Sequence, residues 1–275
     1  MTHTERLFPG EQFISTVLDA LESKTAMTGG LARVYVMRAA MAGAIAGVMY
    51  LVYFTITASL DDPGTGRLVG SLAFGFALVF IYFSKSELLT STMMIVVVGL
   101  YHRKTTLLRA LRILGYCLLG NAVGGLVIAV MVRYSTLVDG AIGAEMADSV
   151  AHKLEYLTAG AAGWGDLFVR AVLCNFMINL AMLLVFNGRI TNDFTASVVM
   201  VMSVFVFAFV GFEHSVANTV LFTIEGLHAG IDWGLAAGNV GIVLLGNFVG
   251  GGFLIGWYYA YANDSKRFLR KRAVK

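Results

Sequence analysis

Six long apolar segments constrain this chain more than any other feature. A helix that crosses a bilayer needs about 20 mostly apolar residues, and such stretches lie at 36–60, 68–101, 113–132, 168–187, 194–224 and 233–262. With 58% hydrophobic and only 13% charged residues, and a mean hydropathy of +0.77, a water-soluble domain of this length is excluded. The expected fold class is an all-α polytopic membrane protein with six transmembrane helices. The second and fifth segments are too long for one straight crossing, and a polar patch interrupts each: "SKSELLTST" (84–92) and "EHSVANT" (213–219). The second patch puts Glu213 beside His214 after an uncharged run. A charged group at the bilayer centre costs roughly 2.5–3.5 kcal/mol on insertion scales, so such residues point to function.

Lysine and arginine in the short connections set the orientation. The loop "YHRKTTLLRALR" (101–112) and the tail "KRFLRKRAVK" (266–275) are basic, whereas "DDPGTGR" (61–67) and "IEGLHAGID" (224–232) are acidic or nearly neutral. Both termini are therefore expected in the cytoplasm, with Arg189 in agreement and the mixed-charge connection 133–166 outside. The net charge of +3 is accounted for by these inward loops, and no nucleic-acid partner is expected. The opening "MTHTERLFPGEQF" lacks the apolar core of a cleavable signal. Next, "PGEQFISTVLDALES" places Phe13, Ile14, Val17, Leu18 and Leu21 on one stripe, which predicts an amphipathic interfacial helix started by Pro9. The expected division is 1–34 as the N-terminal segment, 35–265 as the six-span domain and 266–275 as a basic tail. Cys117 and Cys174 lie in apolar segments without metal-like spacing and read as buried small hydrophobes.

Set over one another, "GYCLLGNAVGGLVIAV" (115–130) and "GIVLLGNFVGGGFLIG" (241–256) agree at eight of sixteen positions, with Asn121 on Asn247, at an offset of 126. The same offset puts Glu87 on Glu213. The chain thus reads as two repeats, about 35–135 and 161–262. Each holds three spans, an odd number, so the second must be inverted relative to the first. Inverted repeats whose discontinuous helices meet near the midplane are the plan of many transporters, and broken backbone at that depth survives only where protein or a water-filled cavity satisfies it. Glu87 and Glu213 are expected to cap half-helices and hold the breaks. Asn121 and Asn247 can serve either as scaffold bonding the broken backbones or as pore lining. The small residues of "GNAVGG" and "GNFVGG" permit close helix approach.

These pieces resemble the formate/nitrite transporter family: "SELLTST" in the second span, "FEHSVANT" in the fifth, "HKLEY" in the third connection, "CNFMINLAM" in the fourth span and "GNFVGG" in the sixth, over nearly the whole chain. The resemblance implies an aquaporin-like fold, a homopentamer with one pore per protomer in the bacterial inner membrane, and passage of formate, nitrite, hydrosulfide or related monovalent anions. It makes His214 the pore-centre histidine, with Thr90 opposite. Leu88, Leu89 and Ile178 would form the inner constriction, and Phe74, Leu78 and Phe207 the outer one. Lys153 would be the vestibule lysine, while Asn175, within the fourth span, and Asn218, within the signature, would add polar support. The chain departs from the pattern at Leu89, where many relatives carry Phe, at Lys85 and Ser86, where small residues are usual, and at Asn179, where a small apolar residue is expected.

A bare anion in a dry constriction faces a desolvation cost that no side chain of the path offsets. Formate, nitrite and hydrosulfide are conjugate bases of weak acids, and desolvation raises such a pKa. An anion drawn in by Lys153 would take up a proton, cross as the neutral acid and release the proton beyond, so protons join the anions as partners. His214 admits two roles, a neutral hydrogen-bond donor oriented by Thr90 or a cationic proton donor. An aquaporin-like water pore shares the inverted plan but needs Asn-Pro-Ala at both breaks, and the only prolines are Pro9 and Pro63. An enzyme subunit is the other alternative. A metalloprotease helix needs a second histidine four residues away, and a haem needs facing axial ligands; His214 is the only mid-membrane histidine. No metal, cofactor or catalytic residue is expected.

Overall fold

The computed structural model describes residues 7–273, and among them the regular secondary structure is entirely helical. The basic tail is described only as far as Ala273, and His3 lies outside the described residues. Helix α1 (Glu11–Gly30) leads into α2 (Ala32–Ser59). The second crossing is α3 (Pro63–Phe74) and α4 (Phe76–Phe83), then a break, then α5 (Leu89–Tyr101). After α6 (Leu107–Arg133) come α7 (Ala141–Thr158) and α8 (Gly160–Phe186). The fifth crossing is α9 (Asp193–Val210), a break and α10 (Ser215–His228). The sixth is α11 (Trp233–Asn247), a π-helical stretch (Phe248–Trp257) and α12 (Tyr258–Ala262), followed by α13 (Ser265–Ala273). Six helical stretches are long and apolar enough to cross a membrane: Ala32–Ser59, Pro63–Phe83, Leu107–Arg133, Gly160–Phe186, Asp193–Val210 and Trp233–Ala262.

Several spans begin earlier than hydropathy alone suggests, because charged residues are tolerated in the first turns, where they reach out of the apolar layer. Side-chain caps fix these starts. Thr106 accepts from the Arg109 amide, Asn192 from Thr195, and Asp232 from both Gly234 and Leu235. Asp62 caps α3 through Thr65, with Pro63 at the first helical position. Its carboxyl is held below its ordinary range by the Thr65 hydroxyl and amide.

The reading of the N-terminal helix needs correction. Helix α1 starts at Glu11, since Pro9 lies in the preceding turn. Its apolar stripe faces protein rather than lipid: Phe13, Val17 and Leu21 are buried against the helix bundle, with Lys24 on the same face. The connection 133–166 contains α7, which buries Met146, Val150 and Tyr156.

The half-helices after the breaks pack crosswise. Helix α5 lies chiefly on the π-helical stretch of the sixth span, and α10 chiefly on α6. Glycine makes room for this. A Cβ on Gly124 would run into the Ala40 carbonyl of α2, and one on Gly250 into the Val172 carbonyl of α8. Backbone therefore meets backbone at two corresponding seams, as packing between helices in lipid favours.

Candidate functional site

At the first break the chain leaves the helix over residues 84–88, and at the second over 211–214. Peptide groups in such segments must find partners inside the protein. One asparagine does most of this at each. Asn121 donates to the carbonyls of Glu87 and Ala39, both at 2.8 Å, and accepts from the Leu89 amide at 3.0 Å. Asn247 donates to Glu213 at 3.0 Å and Ala171 at 2.7 Å, and accepts from Ser215 at 2.8 Å. The amides of Glu87 and Glu213 donate to the carbonyls of Arg38 and Arg170.

The two glutamates do not cap the half-helices. Their carboxylates turn away into ion pairs, because a buried carboxylate without a cation is far costlier than an unfilled cap. Glu87 pairs with Lys24 of α1. Both oxygens of Glu213 accept from Lys153 of α7 at 2.8 Å. Asn218 donates to the same carboxylate at 2.6 Å and to Asn239 at 2.9 Å, while Asn239 donates to the Lys153 carbonyl at 2.8 Å. The cap of α10 is His214, whose Nδ1 accepts from the Ala217 amide at 2.9 Å.

That contact assigns the tautomer of the neutral ring. With Nδ1 an acceptor, the hydrogen sits on Nε2, which lies 3.0 Å from the Thr90 hydroxyl and donates to it. The Phe207 ring stacks on the imidazole at 5.9 Å between centroids. Asn175 donates to the Thr90 carbonyl at 3.2 Å and to the Asn247 carbonyl at 2.6 Å, linking the two breaks.

Two cavities meet at His214, and a third lies beyond the second. A vestibule of about 280 Å³ is lined by Arg67, Lys153, Arg170, Glu213 and His214, with Phe74 and Phe207 at its floor. Below it lies an apolar chamber of about 30 Å³ that shares Phe74, Phe207, His214 and Ala217 with that vestibule. Leu78, Ile81 and Leu88 separate the chamber from a second vestibule of about 560 Å³, which holds Lys24, Arg38, Lys85 and Glu87. Ile178 lines the chamber itself.

Two sequence expectations change here. Leu78 stands on the α1 side of the chamber, with Ile81 and Leu88, rather than with the phenylalanines. Leu89 lines none of the three cavities; it is buried as the first residue of α5, its amide held by Asn121. Sequence reasoning missed four of the vestibule cations, Lys24, Arg38, Arg67 and Arg170. The usable signal was "MRAAMAG" (37–43) against "VRAVLCN" (169–175), which aligns Arg38 with Arg170.

Six apolar spans around a chamber flanked by two charged vestibules define a multi-pass membrane transport protein. The chain belongs to the formate/nitrite transporter family, whose description matches residues 11–261. It is 29% identical over 245 residues to the formate channel FocA of Haemophilus influenzae, covering 80% of this chain and 83% of that one. It is 30% identical over 226 residues to the nitrite transporter NirC of Salmonella typhimurium, covering 81% of each. Among solved structures, an FNT family ion channel superposes with a TM-score of 0.78 at 25% identity, over 91% of this chain and 98% of that one. A pentameric formate channel with formate bound superposes with a TM-score of 0.67 at 23% identity, over 83% and 96%.

Proposed function

We propose that this protein is a homopentameric channel of the bacterial inner membrane that carries small monovalent weak-acid anions, formate foremost and nitrite or hydrosulfide in addition, together with a proton. The observation that carries the reading is the alternation along the path. Each vestibule sets three cationic side chains against one lining carboxylate, and between them lies a chamber whose lining holds no Lys or Arg. The vestibules gather anions, and the chamber turns charge away, because desolvating a bare ion costs several kcal/mol even after relaxation. The same desolvation raises the pKa of the conjugate acid, so an anion pressed toward Phe74 and Phe207 takes up a proton and crosses neutral.

In this reading α1 and the termini are cytoplasmic, α7 and Lys153 face outside, and the two halves are inverted repeats. Phe74 with Phe207, and Leu78 with Leu88, form the two constrictions. Because the Nε2 hydrogen of His214 is directed at Thr90, the ring acts as a neutral orienting group, the Thr90 hydroxyl offers its own hydrogen only as a hydrogen bond, and the proton that the anion takes up comes from water in the vestibule. Names of relatives support formate and nitrite: two of them are a formate channel and a nitrite transporter.

The test is solute flux into liposomes holding the purified protein. Formate, nitrite, hydrosulfide and glycerol are compared at acidic and neutral pH, with His214→Asn and Lys153→Ala alongside. Faster uptake of the three weak-acid anions at acidic pH, negligible glycerol flux and a large loss in His214→Asn are expected. Glycerol flux equal to that of formate, or sustained current carried by unprotonated formate, would rule the reading out.

A further inference from the structure

Asn179 remains unexplained by the path. It is fully buried, lines none of the three cavities, and its Oδ1 has no hydrogen-bond partner among the described residues. Its Nδ2 is crowded with acceptors: the Asn175 Oδ1 at 2.7 Å, the Asn175 carbonyl at 3.0 Å and the Thr90 carbonyl at 3.2 Å. Turning the amide over would face oxygen against three oxygens, so this orientation is the only one that bonds. Asn175 reaches the same Thr90 carbonyl at 3.2 Å. Two amides thus converge on the backbone of the residue whose hydroxyl meets His214.

The surroundings are shaped for the pair. A Cβ on Gly251 would collide with the Nδ2 atoms of both asparagines. The Asn247 carbonyl accepts from Asn175, and the sixth span runs as a π-helix from the next residue, Phe248. A side chain inserted into the helix ladder is a recognised cause of such a change of winding. The arrangement is one-sided. At the offset of 132 that relates Arg38 to Arg170, Asn175 and Asn179 correspond to Gly43 and Gly47 of α2. No amide pair therefore serves Val216, which corresponds to Thr90 at the offset of 126.

We infer that Asn179, together with Asn175, is a positioning pair that fixes Thr90 against His214 and thereby sets which anion the chamber prefers. Selectivity by this route rests on the channel reading above. Asn179 does not touch the solute; it acts by holding the α5 start so that the hydroxyl stays in line with Nε2. A small apolar residue would leave no orphan oxygen but would remove one of the two restraints on Thr90.

A double-mutant cycle tests this. Asn179→Ala is made in the wild-type and Thr90→Val backgrounds, reading the formate-to-nitrite flux ratio in liposomes and the ring-nitrogen NMR shifts of His214, assigned by their loss in His214→Asn. In the wild-type background the ratio should change by about threefold or more, the scale of one lost hydrogen bond, and the ring-nitrogen shifts should move. In the Thr90→Val background Asn179→Ala should change neither. An unchanged ratio and unchanged shifts in the wild-type background, or equal changes in both, would overturn the inference. If Asn179→Ala does not assemble, Asn179→Leu, which is similar in size and carries no donor, is held to the same criteria. Should the wild type pass neither anion, the channel reading falls, while the His214 shifts still decide whether Asn179 positions Thr90.

Discussion

Asn121 and Asn247 show how much a single side chain can carry in a membrane interior. Each bonds three backbone groups, a carbonyl and an amide at a break and one carbonyl of a neighbouring helix. An unsatisfied buried group costs about 1–3 kcal/mol, so Asn121→Ala and Asn247→Ala are each expected to lower the melting temperature of the detergent-purified protein by many degrees. Asn121→Asp should fail equally, because a carboxylate cannot donate to Glu87 and Ala39. Lys85 has a φ of 55°, while Gly211, its counterpart 126 residues on, has 84°. A residue with a Cβ pays about 1–2 kcal/mol in that region, so Lys85→Gly should raise the melting temperature while removing one vestibule charge. His102, beyond the end of α5, is held below its ordinary value of 6.5, chiefly by burial, with Lys104 and Lys266 adding to the effect and Asp264 opposing it. The folded state then binds fewer protons than the unfolded chain. Stability from this site is present above about pH 6.5 and is lost as pH falls through the lower folded value. Melting curves at neutral and mildly acidic pH should show that acid-side loss, and His102→Gln should reduce it.

Among the helices, the seams are where single atoms decide. Gly124 and Gly250 face carbonyl oxygens of α2 and α8, so alanine at either would push backbones apart. Gly115 sits in α6 with open space around it. Gly124→Ala and Gly250→Ala should therefore destabilise, whereas Gly115→Ala should be neutral or stabilising by up to about 1 kcal/mol from helix propensity. Thermal melts of the three variants separate close approach from propensity. The glycines were visible in the repeated "GNxVGG" pattern, but their partners were not, since those carbonyls belong to spans more than 70 residues away. The apolar stripe of α1 was equally legible. That it covers protein rather than lipid was not, because hydropathy does not tell one apolar neighbour from another. Helix α7 was missed because only three of its residues are buried, too sparse a signal beside the acidic and polar residues around them.

The charge pattern belongs to the molecule as a whole. Arg67 and Arg170 come from α3 and α8, Lys153 from α7, Lys24 from α1 and Arg38 from α2. Lys24 and Lys153 are held by Glu87 and Glu213, and Arg170 is paired with Asp166. Arg67 and Arg38 make no ion pair among the described residues. They supply unbalanced charge at the two mouths, where clefts focus the field on an approaching anion. Arg67→Gln and Arg38→Gln should slow formate uptake several-fold at low ionic strength and much less at high salt, where the screening length shrinks to a few ångströms. Loss of flux independent of salt would mean that these arginines act by some route other than steering.

Long apolar runs and two polar interruptions determined the fold class, the six spans and the places where two of them break, because burying backbone in lipid leaves few solutions and a charge there is too costly to be incidental. The sequence also determined that His214 and Thr90 lie at those breaks. Tertiary structure alone decided what each polar group touches: that the glutamates bind lysines instead of capping, that Leu78 belongs to the other side of the chamber, and that Asn175 and Asn179 converge on Thr90. The reason is one of range. Cost of burial is a property of each residue and its neighbours in the chain, whereas a hydrogen bond or an ion pair needs a partner whose position is set only when distant helices cross.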